Sequence, residues 1–167
     1  MNNVEIKITG TLSFNNVLNF SIFSSFTRHF FSVLFLLAMV MSYGSNQHGP
    51  FYIFVPVFSL IFYYWAIRRS IKKSYKSNKV LQSQFKYLFS SKGVDVSFES
   101  GSSTTSWNDI YKVVILKDLI AIFISSNQSF IIPKSWFSSS IEIENFENIL
   151  TNSLPKNKIK TKTFFIF

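Results

Sequence analysis

The feature that most constrains this chain is an uncharged apolar run from Pro50 to Ile67, "PFYIFVPVFSLIFYYWAI". Its 18 residues would form a helix about 27 Å long at about 1.5 Å per residue, close to the roughly 30 Å hydrocarbon core of a bilayer. Tyr63, Tyr64 and Trp65 near its end are typical of the aromatic belt at a membrane interface. The run therefore predicts a transmembrane helix.

A shorter apolar run, Phe30–Tyr43, precedes it. We expect this run to span the membrane too, because a lone second span would leave it without a partner to cover it. Residues 30–67 then form a two-helix transmembrane hairpin. Composition agrees, since 15% of the residues are charged, against roughly 25% in a soluble domain. The alternative is a protein without a membrane segment, in which both runs are core helices.

The flanking charges predict an orientation. The connector Gly44–Gly49 has no Lys or Arg, whereas the stalk, residues 68–79, has six and no acid. The six are Arg68, Arg69, Lys72, Lys73, Lys76 and Lys79. By the positive-inside rule, both termini of this multi-pass protein face the cytoplasm. The stalk either anchors this topology or also contacts the lipid bilayer through anionic headgroups. We expect no nucleic-acid partner, because Tyr75 is the one aromatic residue of the stalk that could stack on a base.

Residues 1–29 divide into two patterns. Val4, Ile6 and Ile8 alternate with charged residues up to Gly10, which predicts a short half-buried strand. Apolar residues then recur every four positions and predict an amphipathic helix lying in the membrane interface. They are Phe14, Leu18, Ile22 and Phe26.

Residues 80–154 change to short alternating runs separated by turn residues, a pattern that indicates an antiparallel sheet. The predicted strands are Gln84–Phe89, Val94–Phe98, Thr104–Trp107, Ile110–Leu116, Leu119–Ser125 and Gln128–Ile132. Ser139 and Glu142 have capping-box spacing, so a helix should follow. Phe146 and Leu150 fall on its apolar face, and Pro155 ends it. Strands followed by one amphipathic helix predict an α+β or mostly-β domain, a small antiparallel PH-like barrel closed by a C-terminal helix.

Three segments carry a resemblance to a family: "SQFKYLFSSKGVDVSF", "SWNDIYKVVILKDLIAIFIS" and "QSFIIPKSWF". In this order, after two apolar runs and a basic stalk, they resemble the YcxB-like family of bacterial membrane proteins. The shared pattern is a strand with Gly-Val, a Trp-x-x-Ile step, a Lys-Asp hairpin and a closing Ile-Pro-Lys. The resemblance covers Gln82 to about Leu150 and implies a PH-like cytoplasmic domain on a two-helix anchor in the inner membrane. It implies no catalytic residues.

The residues give little support to an enzyme. Without cysteine, the chain has no thiolate nucleophile and no thiolate zinc site. His29 and His48 flank the first apolar run, so they would lie on opposite membrane faces and could not share a site. The sequence has no nucleophile elbow, P-loop or HExxH pair. We therefore predict a non-enzymatic protein with no cofactor and no metal site.

Two functions remain open. The first is a recognition domain held at the cytoplasmic membrane surface that binds a protein or anionic lipid. Within "IIPKSWF" (131–137), Lys134 and Trp136 are the candidate partner contacts, although the stretch also fits a strand-to-helix corner ended by Pro133. The alternative is an immunity (self-protection) protein against a membrane-acting toxin, by analogy with small basic two-span proteins.

The tail, residues 155–167, alternates lysines with other residues and ends in "FFIF". It either adds an edge strand protected by its lysines or lies in the membrane interface, and the interface is slightly favoured because four apolar residues need cover.

Overall fold

The computed structural model of the chain describes residues 5–25, 27, 35, 38–39 and 54–161. The chain divides into two compact units. One comprises Met1–Asn16 with Asn78–Phe167, and the other is Val17–Ser77. The N-terminal strand therefore belongs to the same unit as the C-terminal half of the chain, although a complete second unit lies between them in sequence.

The first sheet has four antiparallel strands in the order β1-β2-β3-β4. Their bounds are β1 Ile6–Thr11, β2 Gln84–Phe89, β3 Gly93–Phe98 and β4 Gly101–Ser106. Strand β1 pairs with β2 over six residues, from Ile6 opposite Phe89 to Thr11 opposite Gln84. Ile6 and Ile8 are buried while Lys7 is exposed, so the alternation in the sequence correctly predicts the buried face of this strand.

The second sheet has the order β7-β6-β5-β8. Its strands are β5 Lys112–Ile115, β6 Leu119–Phe123, β7 Ser129–Pro133 and β8 Ile159–Thr161. All five residues of β6 are buried, as expected for the continuous apolar run of a central strand. Strand β8 runs parallel to β5 at the edge of this sheet. The beginning of the tail is thus an edge strand, and "FFIF" lies outside the described residues.

Helix Ser140–Ser153 follows the second sheet, after a short 3-10 turn at Lys134–Trp136. The predicted N-cap is confirmed, because the Ser139 hydroxyl accepts a hydrogen bond from the Glu142 N–H at 3.2 Å. The Glu142 carboxylate reaches back as in a capping box, but it accepts from the Ser138 N–H, one residue before the cap, at 2.7 Å. Phe146 is fully buried, with its ring 4.4 Å from Phe89 of β2, measured between centroids. The helix therefore packs its apolar face on the first sheet.

The prediction of a small closed barrel is wrong. The described strands form two separate four-stranded sheets, and no strand pairing joins one to the other. Alternation along each strand identified which residues face the core, but it carries no information on which strands pair. The result is an α+β fold.

The second unit contains helical segments, and the first of them begins at residue 14, just before the boundary of the unit. Residues 14–25 are helical, which confirms the predicted helix, and Val17, Leu18 and Phe23 in it are buried. Of the predicted apolar stripe, Leu18 is buried and Phe14 and Ile22 are half-buried. The position of this helix in a membrane interface stays a prediction. A long helix, Phe54–Ser77, completes the described part of this unit. In chain order we number the helices α1 (14–25), α2 (Phe54–Ser77), α3 (Lys79–Gln82) and α4 (Ser140–Ser153).

No helix among the described residues combines the length and the apolar character needed to cross a membrane. Helix α2 does not meet this requirement, because its cationic part begins at Arg68. Its apolar part, Phe54–Ile67, has 14 residues, about 21 Å at the rise of an α-helix. The predicted transmembrane hairpin is therefore wrong for the described residues, and so are the multi-pass inner-membrane localisation and the two cytoplasmic termini that follow from it. Phe30–Tyr43 and Gly44–Gly49 lie, apart from residues 35, 38 and 39, outside the described residues.

Candidate functional site

The strongest candidate site is a cationic face on α2, made of Arg68, Arg69, Lys72, Lys73 and Lys76. All five side chains are exposed. At about 100° per residue, their positions fall within an arc of about 140° around the helix axis. Ile67, Ile71 and Tyr75 are less exposed and lie outside this arc. The helix therefore gathers five positive charges on one exposed side.

Exposed aromatic residues precede these cations on the same side of α2. By the same geometry, Phe58, Phe62 and Trp65 fall within the arc of the cationic face. Their exposed fractions are 66%, 67% and 52%, which is high for large apolar side chains. The Arg69 guanidinium lies 5.3 Å from the centroid of the Trp65 ring, within the range of a cation–π interaction.

The charge of the chain is strongly asymmetric. Residues 6–94 contain ten basic residues and no acid, whereas residues 95–167 contain seven of each. The positive charge of α2 is therefore not offset by any acid near it in sequence. Such a field attracts anionic partners and accelerates their association.

The structure does not place all six predicted stalk residues together. Asn78 ends the continuity of α2, because its side chain accepts a hydrogen bond from the Val80 N–H at 3.0 Å and caps α3. Lys79 is exposed at the start of α3. The five cations of α2 thus form the face, and Lys79 lies in a different helix.

Lys134 lies at the junction of the second sheet and α4. Its ammonium group is 3.1 Å from the Glu147 carboxylate, in an ion pair whose side chains are 23% and 35% exposed. Its backbone N–H donates to the Asp118 carbonyl at 2.9 Å. These contacts hold the 3-10 turn to α4 and to the β5–β6 turn, so Lys134 has a structural role, and its role as a partner contact stays a prediction.

Trp136 has a similar position. Its ring covers Gly10 of β1 so closely that a Cβ at residue 10 would overlap it. It also lies near Tyr87, with 6.2 Å between the ring centroids. The half-buried indole therefore links the 3-10 turn to the N-terminal strand. Sequence reasoning identified the corner but missed this contact, because no local signal pairs residue 10 with residue 136.

Tyr87 is a titratable group with a clear perturbation. Burial raises the pKa of its phenol well above the usual value near 10. Its ring lies between Phe85 and Phe89 on β2, with centroid distances of 6.1 and 5.9 Å. This is an aromatic core position and offers no acid or base for chemistry at neutral pH.

A shallow depression of about 340 Å³ lies at one end of the first sheet. It is lined by Gln84, Lys86, Ser97, Phe98 and Glu99. Within the described ranges, no group of three or more His, Cys, Asp or Glu side chains is arranged to hold a metal ion. His29 and His48 lie outside those ranges.

Residues 89–150 match the family model described as YcxB-like protein. The chain is also 27% identical over 90 residues to "Uncharacterized protein YcxB" of Bacillus subtilis (strain 168). That alignment covers 54% of this chain and 49% of the relative, so the chain spans about half the length of the curated relative it matches. No solved structure matches the chain. The family-model match covers the segment from the end of β2 to α4, and the cationic face lies before that segment.

Proposed function

We propose that this chain is a non-enzymatic binding protein that attaches to anionic lipid headgroups through the cationic face of α2. The observation that carries the proposal is the gathering of five exposed cations on one side of a helix, within a stretch of 89 residues that contains no acid, residues 6–94. Each Lys or Arg close to an anionic bilayer surface contributes about 1 kcal/mol to binding. Five together are enough for a stable attachment at low ionic strength.

The apolar part of α2 favours a lipid surface over other anionic partners. Leu60 and Ile61 are 46% and 59% exposed, and such aliphatic side chains add nothing to phosphate or base recognition in a nucleic acid. At a bilayer surface, apolar side chains enter the boundary between headgroups and acyl chains while cations contact the headgroups. One partner thus covers both parts of the helix without the helix crossing the bilayer.

Vesicle co-sedimentation of the full-length chain tests the proposal. Wild type should bind vesicles of phosphatidylglycerol and phosphatidylcholine, bind pure phosphatidylcholine weakly, and be released from the anionic vesicles as salt rises. The helix variant replaces all five cations of the face with Gln. Its matched control replaces five exposed lysines elsewhere, Lys86, Lys92, Lys117, Lys156 and Lys160, so both variants lose the same net charge.

We expect the helix variant to lose most of its binding and the control to keep it. Equal losses in both variants would mean that net charge acts without a specific surface, and would refute the site. Tight binding of wild type to single-stranded or duplex DNA, together with no binding to anionic vesicles, would refute the lipid assignment.

The self-protection alternative rests on analogy with two-span proteins. No feature of the described residues tests this alternative, and it stays a prediction.

A further inference from the structure

Strand β4 is an edge of the first sheet, and the ladder shows which of its backbone groups point away from the sheet. The Ser90 N–H donates to the Gly93 carbonyl at 3.0 Å. Because hydrogen-bonded pairs alternate in an antiparallel ladder, the odd-numbered residues of β3 bond to β2 and the even-numbered ones bond to β4. Val96 is opposite Ser103, so Ser103 bonds inward. The N–H and C=O groups of Ser102 and Thr104 therefore point outward.

The other strand edges of the described sheets are protected, and β4 is not. In β1, Lys7 is among the residues whose backbone groups point outward, and the Trp136 ring covers Gly10. Strand β7 is buried at Ile131–Pro133. Strand β8 has three residues, and one of them is a lysine. Strand β4 has six residues without Lys or Pro, and its pairing with β3 has no bulge. Proteins commonly block free edges with such devices, because an unblocked edge pairs with another strand.

We propose that β4 pairs antiparallel with β4 of a second copy, around a twofold axis at Ser103, and joins two four-stranded sheets into one of eight strands. Ser102 of each copy then lies opposite Thr104 of the other, and their outward N–H and C=O groups form the new ladder. This surface is distinct from the cationic face of α2 and does not depend on its function.

Charge and side-chain chemistry favour a second copy as the partner. The strand is uncharged, and its Ser and Thr side chains form favourable cross-strand pairs with one another. Lys92 lies in the turn beside the Ser106 end of β4, and Glu99 lies in the turn before Gly101. Antiparallel pairing brings Lys92 of one copy to the same end as Glu99 of the other, and the symmetry repeats this complementarity at both ends.

A cysteine cross-link tests the twofold axis. In the proposed pairing, the two Ser103 residues face each other as a non-hydrogen-bonded pair, the arrangement in which side chains approach most closely. Because the chain has no cysteine, Ser103→Cys introduces a single thiol. Under mild oxidation the full-length variant should form a disulfide-linked dimer. Ser97→Cys, at an exposed position of β3, is the control and should remain largely monomeric on non-reducing gels.

Sedimentation of two matched variants tests the ladder. Thr104→Pro removes an outward N–H without breaking a bond to β3, whereas Thr104→Val keeps that N–H. Both lose the hydrogen bond from the Thr104 hydroxyl to Asp95, which is 2.6 Å long. We expect Thr104→Pro to weaken the dimer by about tenfold or more, because it removes two N–H donors from the symmetric interface, and Thr104→Val to leave it intact.

Three results would overturn the proposal: a wild-type chain that stays monomeric at hundreds of micromolar, a Ser103→Cys chain that cross-links no better than Ser97→Cys, or a dimer that Thr104→Pro leaves unchanged. If Thr104→Pro does not fold, the cross-linking comparison still decides.

Discussion

The contact between Gly10 and Trp136 gives a sharp test of the fold, because it connects the N-terminal strand to the C-terminal half of the chain. A methyl group at residue 10 would overlap the Trp136 ring. Overpacking of this kind costs about 1–3 kcal/mol, whereas replacing a strand glycine with alanine otherwise stabilises by roughly 0.5–1 kcal/mol. Gly10→Ala should therefore lower the free energy of unfolding by about 0.5–2 kcal/mol.

A double-mutant cycle isolates the contact. In a Trp136→Ala background the methyl group has room, so Gly10→Ala should become neutral or slightly stabilising. The difference between the two backgrounds, the coupling energy, should be about 1–3 kcal/mol. Urea unfolding of all four full-length proteins, followed by far-UV circular dichroism, measures it. An equal effect of Gly10→Ala in both backgrounds would show that Trp136 does not lie on β1.

Three further substitutions probe other parts of the sheet unit. Phe146→Ala empties a fully buried position packed on Phe89 and should cost about 3–5 kcal/mol in urea unfolding; a cost below about 1 kcal/mol would contradict the packing of α4. Tyr87→Phe tests the raised pKa of the Tyr87 phenol. In the unfolded chain this phenol releases its proton from about pH 10 upward, whereas in the folded protein it stays protonated there. The stability of the wild type should therefore fall as pH rises above about 10, and that of the variant should fall less. Lys134→Ala removes a partly exposed ion pair and should cost about 0.2–1 kcal/mol while leaving vesicle binding unchanged; a loss of vesicle binding would show that Lys134 contacts the lipid.

Local patterns predicted most elements of the sheet unit. The alternation around Ile6 and Ile8, the predicted strand Gln84–Phe89 and the Ser139–Glu142 cap all correspond to observed elements. In each case a period of two or a cap at fixed spacing determines the local structure directly. The predicted strand bounds differ from the observed ones by one to three residues at most ends.

Pairing between distant segments could not be predicted. Nothing in β1 indicates that its partner is β2, which follows the whole second unit in sequence. The parallel pairing of β8 with β5 is equally hidden, since three residues of a lysine-rich tail give no partner signal. Because the sequence does not show these pairings, its strand pattern predicted one barrel where the structure has two four-stranded sheets.

The candidate site was predicted in part. The stalk residues were identified from their charge alone, and five of them share one face because α2 continues through Ser77. The transmembrane prediction for the preceding apolar run was wrong. Pro50–Ile67 has the length of a membrane span, but the described helix begins at Phe54 and changes from apolar to cationic at Arg68. For Lys134, the sequence could not show that Glu147, one turn before the buried Leu150, lies within 3.1 Å of its ammonium group.

The most direct test of the central claim is the affinity of two variants for the same anionic vesicles at low salt. One lacks the five cations of α2, and the other lacks the five lysines outside it. If α2 forms the binding face, the first should bind at least about tenfold more weakly than the second, the conservative end of what roughly 1 kcal/mol per cation allows. Equal dissociation constants for the two variants would contradict the account.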